Sequence, residues 1–205
     1  MKIIVFEKNY HIHNNSSEFP FNKTCDSVVY TLPDTALLKD HRPFFIPDFA
    51  TTCTLRGQLV VRICRLGRSI SARFAHRYYD AITTGVTFTA ENILQELKEK
   101  GLPWELAKGF DGAAAIGKFI PLADIESGLN TPFSIYAGDS LLQAGCGSDM
   151  LKHVDELIAE ISQYYTLKQG DFIFTGCPTL PSIVTPNQNI CGFVGEQKVL
   201  SFNIK

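Results

Sequence analysis

The chain opens on an apolar run, Met1-Lys2-Ile3-Ile4-Val5-Phe6, that turns polar at Glu7 and predicts a first strand. A second apolar core, Leu59-Val60-Val61 with Ile63-Cys64, predicts a buried strand entered through Arg56-Gly57-Gln58. Gly57 weakens a strand, and Arg56 and Gln58 project to one face of it, as a solvated strand end would have them. Further strands are predicted near Phe133–Ala137 and over Phe172–Thr175, Ile190–Val194 and Val199–Ile204. Helical spacing predicts a short helix from Ser71 to Tyr79, with Phe74, Ala75 and Tyr78 on one side. A second helix runs from about Ala90 to Lys100, capped by Thr89, striped by Ile93, Leu94 and Leu97, and stopped at Lys98, Lys100 and Gly101. The most regular pattern starts near Ser148, where Met150, Leu151, Val154, Leu157, Ile158 and Ile161 recur at three and four residues. Residues 11–24 read as a polar loop, and Pro33, Pro43 and Pro47 make residues 31–49 run extended. Strands with interspersed helices, in no regular alternation, indicate an α+β chain.

The 205 residues are 45% hydrophobic, enough for one well-buried core. Nineteen basic against 21 acidic residues, a net −2 without long blocks, leave no electrostatic footprint for nucleic acid or an anionic membrane. No apolar run approaches the roughly 18 residues of a membrane span, and the first apolar run is too short for a signal peptide. The six cysteines, Cys25, Cys53, Cys64, Cys146, Cys177 and Cys191, have no C-x-x-C spacing, and several lie in apolar strand-like runs as small hydrophobes. A reduced, cytoplasmic setting is expected.

Few stretches suggest chemistry unaided. His11 and His13 form an H-x-H pair with no third ligand at a useful spacing, so a polar loop is the favoured reading; His76 and His153 read as surface or boundary residues. No G-x-S-x-G elbow, P-loop or G-x-G-x-x-G occurs. In GLPWELAKGFDG, residues 101–112, the only Trp, Trp104, stands near Lys108 and Asp111 between glycines. A lysine in an aromatic pocket is an acid/base or anion-binding group, and an exposed lysine after a helix has the same local sequence. In GDFIFTGCP, residues 170–178, the Thr175 hydroxyl and the amides around Gly176 suit an oxyanion, and a plain strand-ending turn looks alike.

Seven stretches taken together resemble the fumarylacetoacetate hydrolase family, the metal-dependent hydrolases, decarboxylases and isomerases of oxo-acids. They are NYHIH (9–13), PDTALLKDHRPFFIPDF (33–49), QLVVRICRLGRSI (58–70), HRYYDAITTGVTFTA (76–90), GLPWELAKGFD (101–111), QAGCGSDM (143–150) and LKQGDFIFTGCP (167–178). They cover most of the chain in the family's order. The resemblance implies a mixed β-sandwich or β-roll over residues 1–205 as one domain, with residues 1–50 as strand, loop and extended arm packed on it. It also implies a homodimer, and a Mg²⁺ or Mn²⁺ held through a Glu-x-Glu and a later Asp, oxygen ligands suited to a hard cation.

Carried over position by position, the Glu-x-Glu falls on Arg56 and Gln58, and the Asp on Thr87. The family's loop histidine matches His13, but its glutamate partner falls on Ser16, with Glu18 two residues on. Lys108 and Asp111 are retained, and Thr-Gly-Thr-Pro has become Thr175-Gly176-Cys177-Pro178. Three carboxylates bring −3 toward a divalent ion where Arg56, Gln58 and Thr87 bring +1. Each unit charge about 4 Å away is worth roughly 4 kcal/mol at an effective dielectric near 20, so four lost units amount to about 10 kcal/mol after a heavy discount. The resemblance therefore implies a degenerate member without the metal or any other cofactor. Arg56, Lys108, Asp111, Thr175 and Gly176 would bind a small carboxylate or oxo-acid, and Lys108 and His13 would carry any catalysis that remains. The alternative is an active C–C hydrolase, oxo-acid decarboxylase or keto–enol isomerase on acylpyruvate-like substrates, working without the usual metal.

Overall fold

In the computed structural model, which describes residues 1–10, 28–38 and 42–205, the apolar runs become the strands of two packed sheets. Along the chain come β1 (Ile3–Glu7), β2 (Val28–Leu32), β3 (Leu37–Leu38), β4 (Cys53–Ile63), α1 (Ala72–Ala75) and β5 (Tyr79–Ala90). Then follow α2 (Glu91–Glu99), α3 (Glu105–Lys108), β6 (Ala114–Ile116), β7 (Ile120–Pro121), β8 (Pro132–Ala137) and β9 (Ser140–Cys146). Last come α4 (Val154–Tyr164), β10 (Phe172–Phe174), β11 (Ser182–Ile183), β12 (Asn189–Val194) and β13 (Gln197–Asn203). The large sheet runs β2-β1-β10-β4-β5-β6-β3, with β11 beside β4 and β7 beside β5; the small one runs β13-β12-β8-β9. β1 lies parallel to β10 and β3 parallel to β6, while the other pairs are antiparallel. This mixed sheet with few helices is the α+β roll expected. No helix among the described residues is long and apolar enough to cross a membrane.

The long β4–β5 hairpin sets the two faces. Its register pairs Thr54 with Thr89, Arg56 with Thr87 and Val60 with Thr83, which puts the even positions of β4 on one side. The odd positions, Leu55, Leu59 and Val61, look the other way. Leu55, Val86 and Phe88 pack on Ile135, Ile190, Leu200 and Phe202 of the small sheet. Leu59, Val61 and Ile82 pack on Val154, Leu157, Ile158 and Ile161 of α4.

Gly57 does not interrupt β4. It is the point where the small sheet rests on the large one: a Cβ there would lie 2.8 Å from Gln143 Oε1 and would collide with Ile135, and the Gly57 N–H donates to Gln143 Oε1. Gly57→Ala is expected to cost about 1–3 kcal/mol by overpacking, measurable as a lower urea midpoint at unchanged slope. A neutral result would mean the small sheet shifts freely.

Among the strands with no counterpart in the sequence reading, β5 and β9 are the longest. β5 hides behind Thr83, Thr84, Thr87 and Thr89, all at most 2% exposed; threonine is polar to a pattern search and β-branched to the backbone. Thr89 accordingly lies in the strand, and α2 begins at Glu91 with no side-chain cap. α1 is only four residues, and Phe74 is 43% exposed. The pattern from Ser148 enters α4 only at Val154, because His153 is the N-cap and shares a capping box with Glu156; Gly147–Asp149 form a 3₁₀ turn. Cys53 and Cys191 are buried and free, as small core residues are.

Candidate functional site

On the even face of β4 the side chains change from apolar to polar along the strand. Val60 joins Ile3, Val5, Phe172 and Phe174 in a core, and beyond it come Gln58, Arg56 and Thr54. β1 makes the same change. Ile3 and Val5 are buried in that core, and Glu7, two residues further on the same face, carries a carboxylate into the polar half. Tyr30 of β2, opposite Val5, and Lys108, at the end of α3, close over it.

These side chains form two hydrogen-bonded groups. The Gly176 N–H donates to Gln58 Oε1 at 2.9 Å, and Gln58 Nε2 donates to Thr87 Oγ1 at 3.0 Å. The Tyr30 phenol donates to Glu7 Oε1 at 3.2 Å. Lys108 Nζ donates to the same oxygen at 2.6 Å and to Thr89 Oγ1 at 3.4 Å, and stands 5.1 Å from the centre of the Tyr30 ring. The Arg56 Nε is buried, with no hydrogen-bond partner among the described residues.

Charge is distributed unevenly. Burial alone would raise the Glu7 carboxyl, but Lys108, Arg56 and the Tyr30 hydroxyl outweigh it and hold Glu7 below the ordinary 4.5. Lys108 moves below its ordinary 10.5, since burial and the nearby Arg56 charge together exceed what Glu7, with a smaller part from Glu91, returns. The two directions agree with two cations sharing one well-placed carboxylate. Burial pushes the Tyr30 phenol far up, so it remains a donor.

Of the residues singled out from sequence, Arg56, Gln58, Thr87, Lys108 and Gly176 meet here. Thr175 is at the edge: its hydroxyl donates to the Leu59 carbonyl at 2.9 Å and takes a bond from Tyr10 at 3.1 Å. Asp111 is exposed in the turn after α3. His11, His13, Ser16, Glu18 and Cys25 lie outside the described residues. His76 and His153 are exposed on the surface. Glu7, Tyr30 and Thr89 were missed; the signal for Glu7 was its two-residue phase with Ile3 and Val5. Lys108 and Tyr30 also line a cavity of about 250 Å³ with Pro103, Trp104 and Glu105.

The divalent ion that the resemblance implies does not fit these residues. A hard cation wants several anionic oxygens. Of the three positions where the resemblance expects ligands, Arg56 presents a cation, and Gln58 Oε1 and Thr87 Oγ1 each already accept a hydrogen bond.

The geometry has close relatives. The family described as fumarylacetoacetate (FAA) hydrolase C-terminal matches residues 2–192. The mitochondrial oxaloacetate tautomerase FAHD1 of Bos taurus is 28% identical over 205 residues, spanning 99% of this chain and 90% of its own length. The mitochondrial oxaloacetate decarboxylase of Dictyostelium discoideum is 30% identical over 207 residues, spanning 99% and 93%. Fumarylpyruvate hydrolase from Pseudomonas aeruginosa, crystallised with Mn²⁺ and pyruvate, superposes with a TM-score of 0.88 over 100% of this chain and 89% of its own, at 21% identity. The chain belongs to the fumarylacetoacetate hydrolase family.

Proposed function

We propose that this chain is a catalytically degenerate family member that works without Mg²⁺ or Mn²⁺ and binds a small oxo-acid anion at Arg56. The supporting observation is the Gly176–Gln58–Thr87 hydrogen-bonded chain, which commits the oxygens at two former ligand positions while Arg56 occupies the third. The charge at those positions repels a cation and attracts a carboxylate, to which a guanidinium offers paired donors. Without a Lewis acid nothing polarises a substrate's oxo group as a metal would. What this site offers is binding, with Arg56 as counter-ion to a carboxylate. Calorimetric titration of the protein with millimolar Mn²⁺ and Mg²⁺ is expected to give no saturable heat; saturable binding weakened in Gln58→Ala would overturn the reading.

The Lys108–Glu7–Tyr30 contact favours a second reading, an active metal-free enzyme. The relatives' named activities, oxaloacetate tautomerase and decarboxylase, make oxaloacetate the substrate to try. Here the buried ammonium, lowered below its ordinary value, would pass a proton to or from an enol. Turnover of oxaloacetate in excess chelator, abolished in Lys108→Ala, would establish it; no turnover across a panel of acylpyruvates and oxaloacetate would remove it.

A homodimer belongs to the first reading. It is supported by the exposed Phe45 and Leu106, 67% and 71%, and by Phe49, which lines a groove with Leu106, Phe110 and Ile93. Sedimentation at micromolar concentration tests it, with a monomer as the contrary result.

A further inference from the structure

Averaged over the chain, a net charge of −2 leaves no footprint for an anionic surface, but the average hides a basic stretch. No Asp or Glu occurs from Phe49 to Tyr79, a segment that holds Arg62, Arg65, Arg68, Arg73 and Arg77. The fold draws the last four of these together. Residues 64–78 link β4 to β5 as a closed excursion, in which Ile63 pairs with Tyr79 and the Cys64 N–H donates to the Tyr78 carbonyl at 2.9 Å. Ile70 and Ala75 anchor it in the core beside α4. The rest faces water: Arg65, Arg68, Arg73 and Arg77 are exposed, and Leu66, 66% exposed, and Phe74 stand among them. Arg62 is neutralised by Asp80 through two bonds of 2.9 Å. The other four guanidiniums pair with no carboxylate among the described residues. Those of Arg73 and Arg77 lie over the Phe74 ring, 5.5 and 5.2 Å from its centre. On α4, which packs on α1, Glu156 is held in the capping box and Glu160 pairs with Lys152 at 2.8 Å. The margin continues into exposed Tyr164, Tyr165 and Lys168, because the Ser69 N–H donates to the Ser162 carbonyl and Gly67 bridges to Leu167.

From this arrangement we infer that the β4–β5 connection is a docking surface for an anionic lipid bilayer. Arginines complement a layer of phosphates, and each adds to attachment at such a surface. Leu66 and Phe74 offer apolar groups to the boundary between headgroups and acyl chains, and tyrosines favour that same depth. A single-stranded nucleic acid would use these charges too, with free aromatic faces for its bases. Here the Phe74 ring already carries its own guanidiniums, and the most exposed apolar group of the excursion, Leu66, is aliphatic and stacks no base. The bilayer is the better match. Ile63, where the excursion begins, lies seven residues past Arg56 along β4, about 23 Å at 3.3 Å per residue. Attachment therefore leaves the candidate site free, and the inference is independent of what that site binds.

The test is co-sedimentation of the full chain with vesicles of mixed phosphatidylglycerol and phosphatidylcholine, against vesicles of phosphatidylcholine alone. Binding is expected to the anionic vesicles only, and to be lost between about 0.05 M and about 0.5 M NaCl as the charges are screened. Arg73→Gln with Arg77→Gln is expected to weaken partitioning about 25-fold, roughly fivefold for each arginine. Leu66→Ser is expected to weaken it up to about tenfold with the salt dependence unchanged, which attraction by charge alone would not produce. These side chains are exposed, so the urea midpoints of both variants should match that of the unaltered protein. Equal partitioning onto neutral and anionic vesicles, or onto neither, would overturn the inference. So would binding of a polyuridine oligonucleotide without binding to vesicles, which would give the surface to nucleic acid. The unaltered protein decides between these outcomes whatever the variants do.

Discussion

Lys108→Met is expected to destabilise the protein by about 3 kcal/mol at neutral pH, in the range for breaking a buried ion pair by removing one partner. The Lys108 and Glu7 side chains are 3% and 11% exposed, so the carboxylate left behind has little water to turn to. It keeps the Tyr30 hydroxyl and the field of Arg56, which places the loss at the lower end of that range. The pH dependence identifies the cause. In the folded protein Glu7 titrates below its ordinary 4.5, so it binds fewer protons there than in the unfolded chain. Its contribution is complete above that ordinary value and is lost as pH falls through the folded one. Lys108→Met removes the strongest influence lowering Glu7, so the gap between the variant and the unaltered protein narrows on acidification toward pH 4. The double change Glu7→Leu with Lys108→Met is expected to recover most of the loss, since two apolar side chains leave no unpaired charge. Urea denaturation at pH 7 and pH 4 reads all three quantities. A loss below about 1 kcal/mol at pH 7, the scale of exposed pairs, would mean the pair is solvated.

The apolar patterns made most of the sheet legible. Strands β1, β4, β8, β10, β12 and β13 follow from runs such as Leu59-Val60-Val61 and Ile190–Val194, because their buried positions are apolar. β5 escaped because its buried face is written in threonine. The start of α4 was misplaced because Met150 continues the helical phase without being helical, and only the His153–Glu156 capping box marks the true boundary. The site was half legible. Arg56, Gln58 and Thr87 came from the motif positions, and Lys108 from its aromatic setting. Glu7 was passed over because it ended an apolar run and was read as punctuation. Its meaning depends on β1 lying beside β10 and so facing α3, a contact between residues 101 positions apart that no local pattern encodes. Gly57 was read as an awkward entrance for the same reason: what it accommodates, Ile135 and Gln143, arrives from a different sheet.

Arg56→Glu, Gln58→Glu and Thr87→Asp combined are expected to create a site for Mn²⁺ where the unaltered protein is expected to bind none. Arg56 and Thr87 are register partners on one face, and Gln58 Nε2 already lies 3.0 Å from Thr87 Oγ1. Carboxylates at these three positions therefore converge on a common point, and the charge there changes by four units, from +1 to −3. The electrostatic gain is on the order of 10 kcal/mol after a heavy discount for screening. Only a third of it, about 3 kcal/mol, corresponds to more than a hundredfold in Kd. A Kd of about 10 µM would add about 2.7 kcal/mol at 1 mM Mn²⁺ and raise Tm by about 5–10 °C. Without metal the same variant is expected to be less stable than the unaltered protein, because Glu7 then stands near three further carboxylates with only Lys108 to offset them. Stability in chelator and in Mn²⁺ should thus move in opposite directions, a pattern that mere misfolding does not produce. If Mn²⁺ changes neither Tm nor the calorimetric baseline of the triple variant, the three positions do not converge on one ion. The replaced carboxylates would then not be what distinguishes this pocket. Should Mn²⁺ bind and oxaloacetate turnover appear with it, Lys108 is still needed, and adding Lys108→Ala should remove turnover while leaving the metal-dependent rise in Tm.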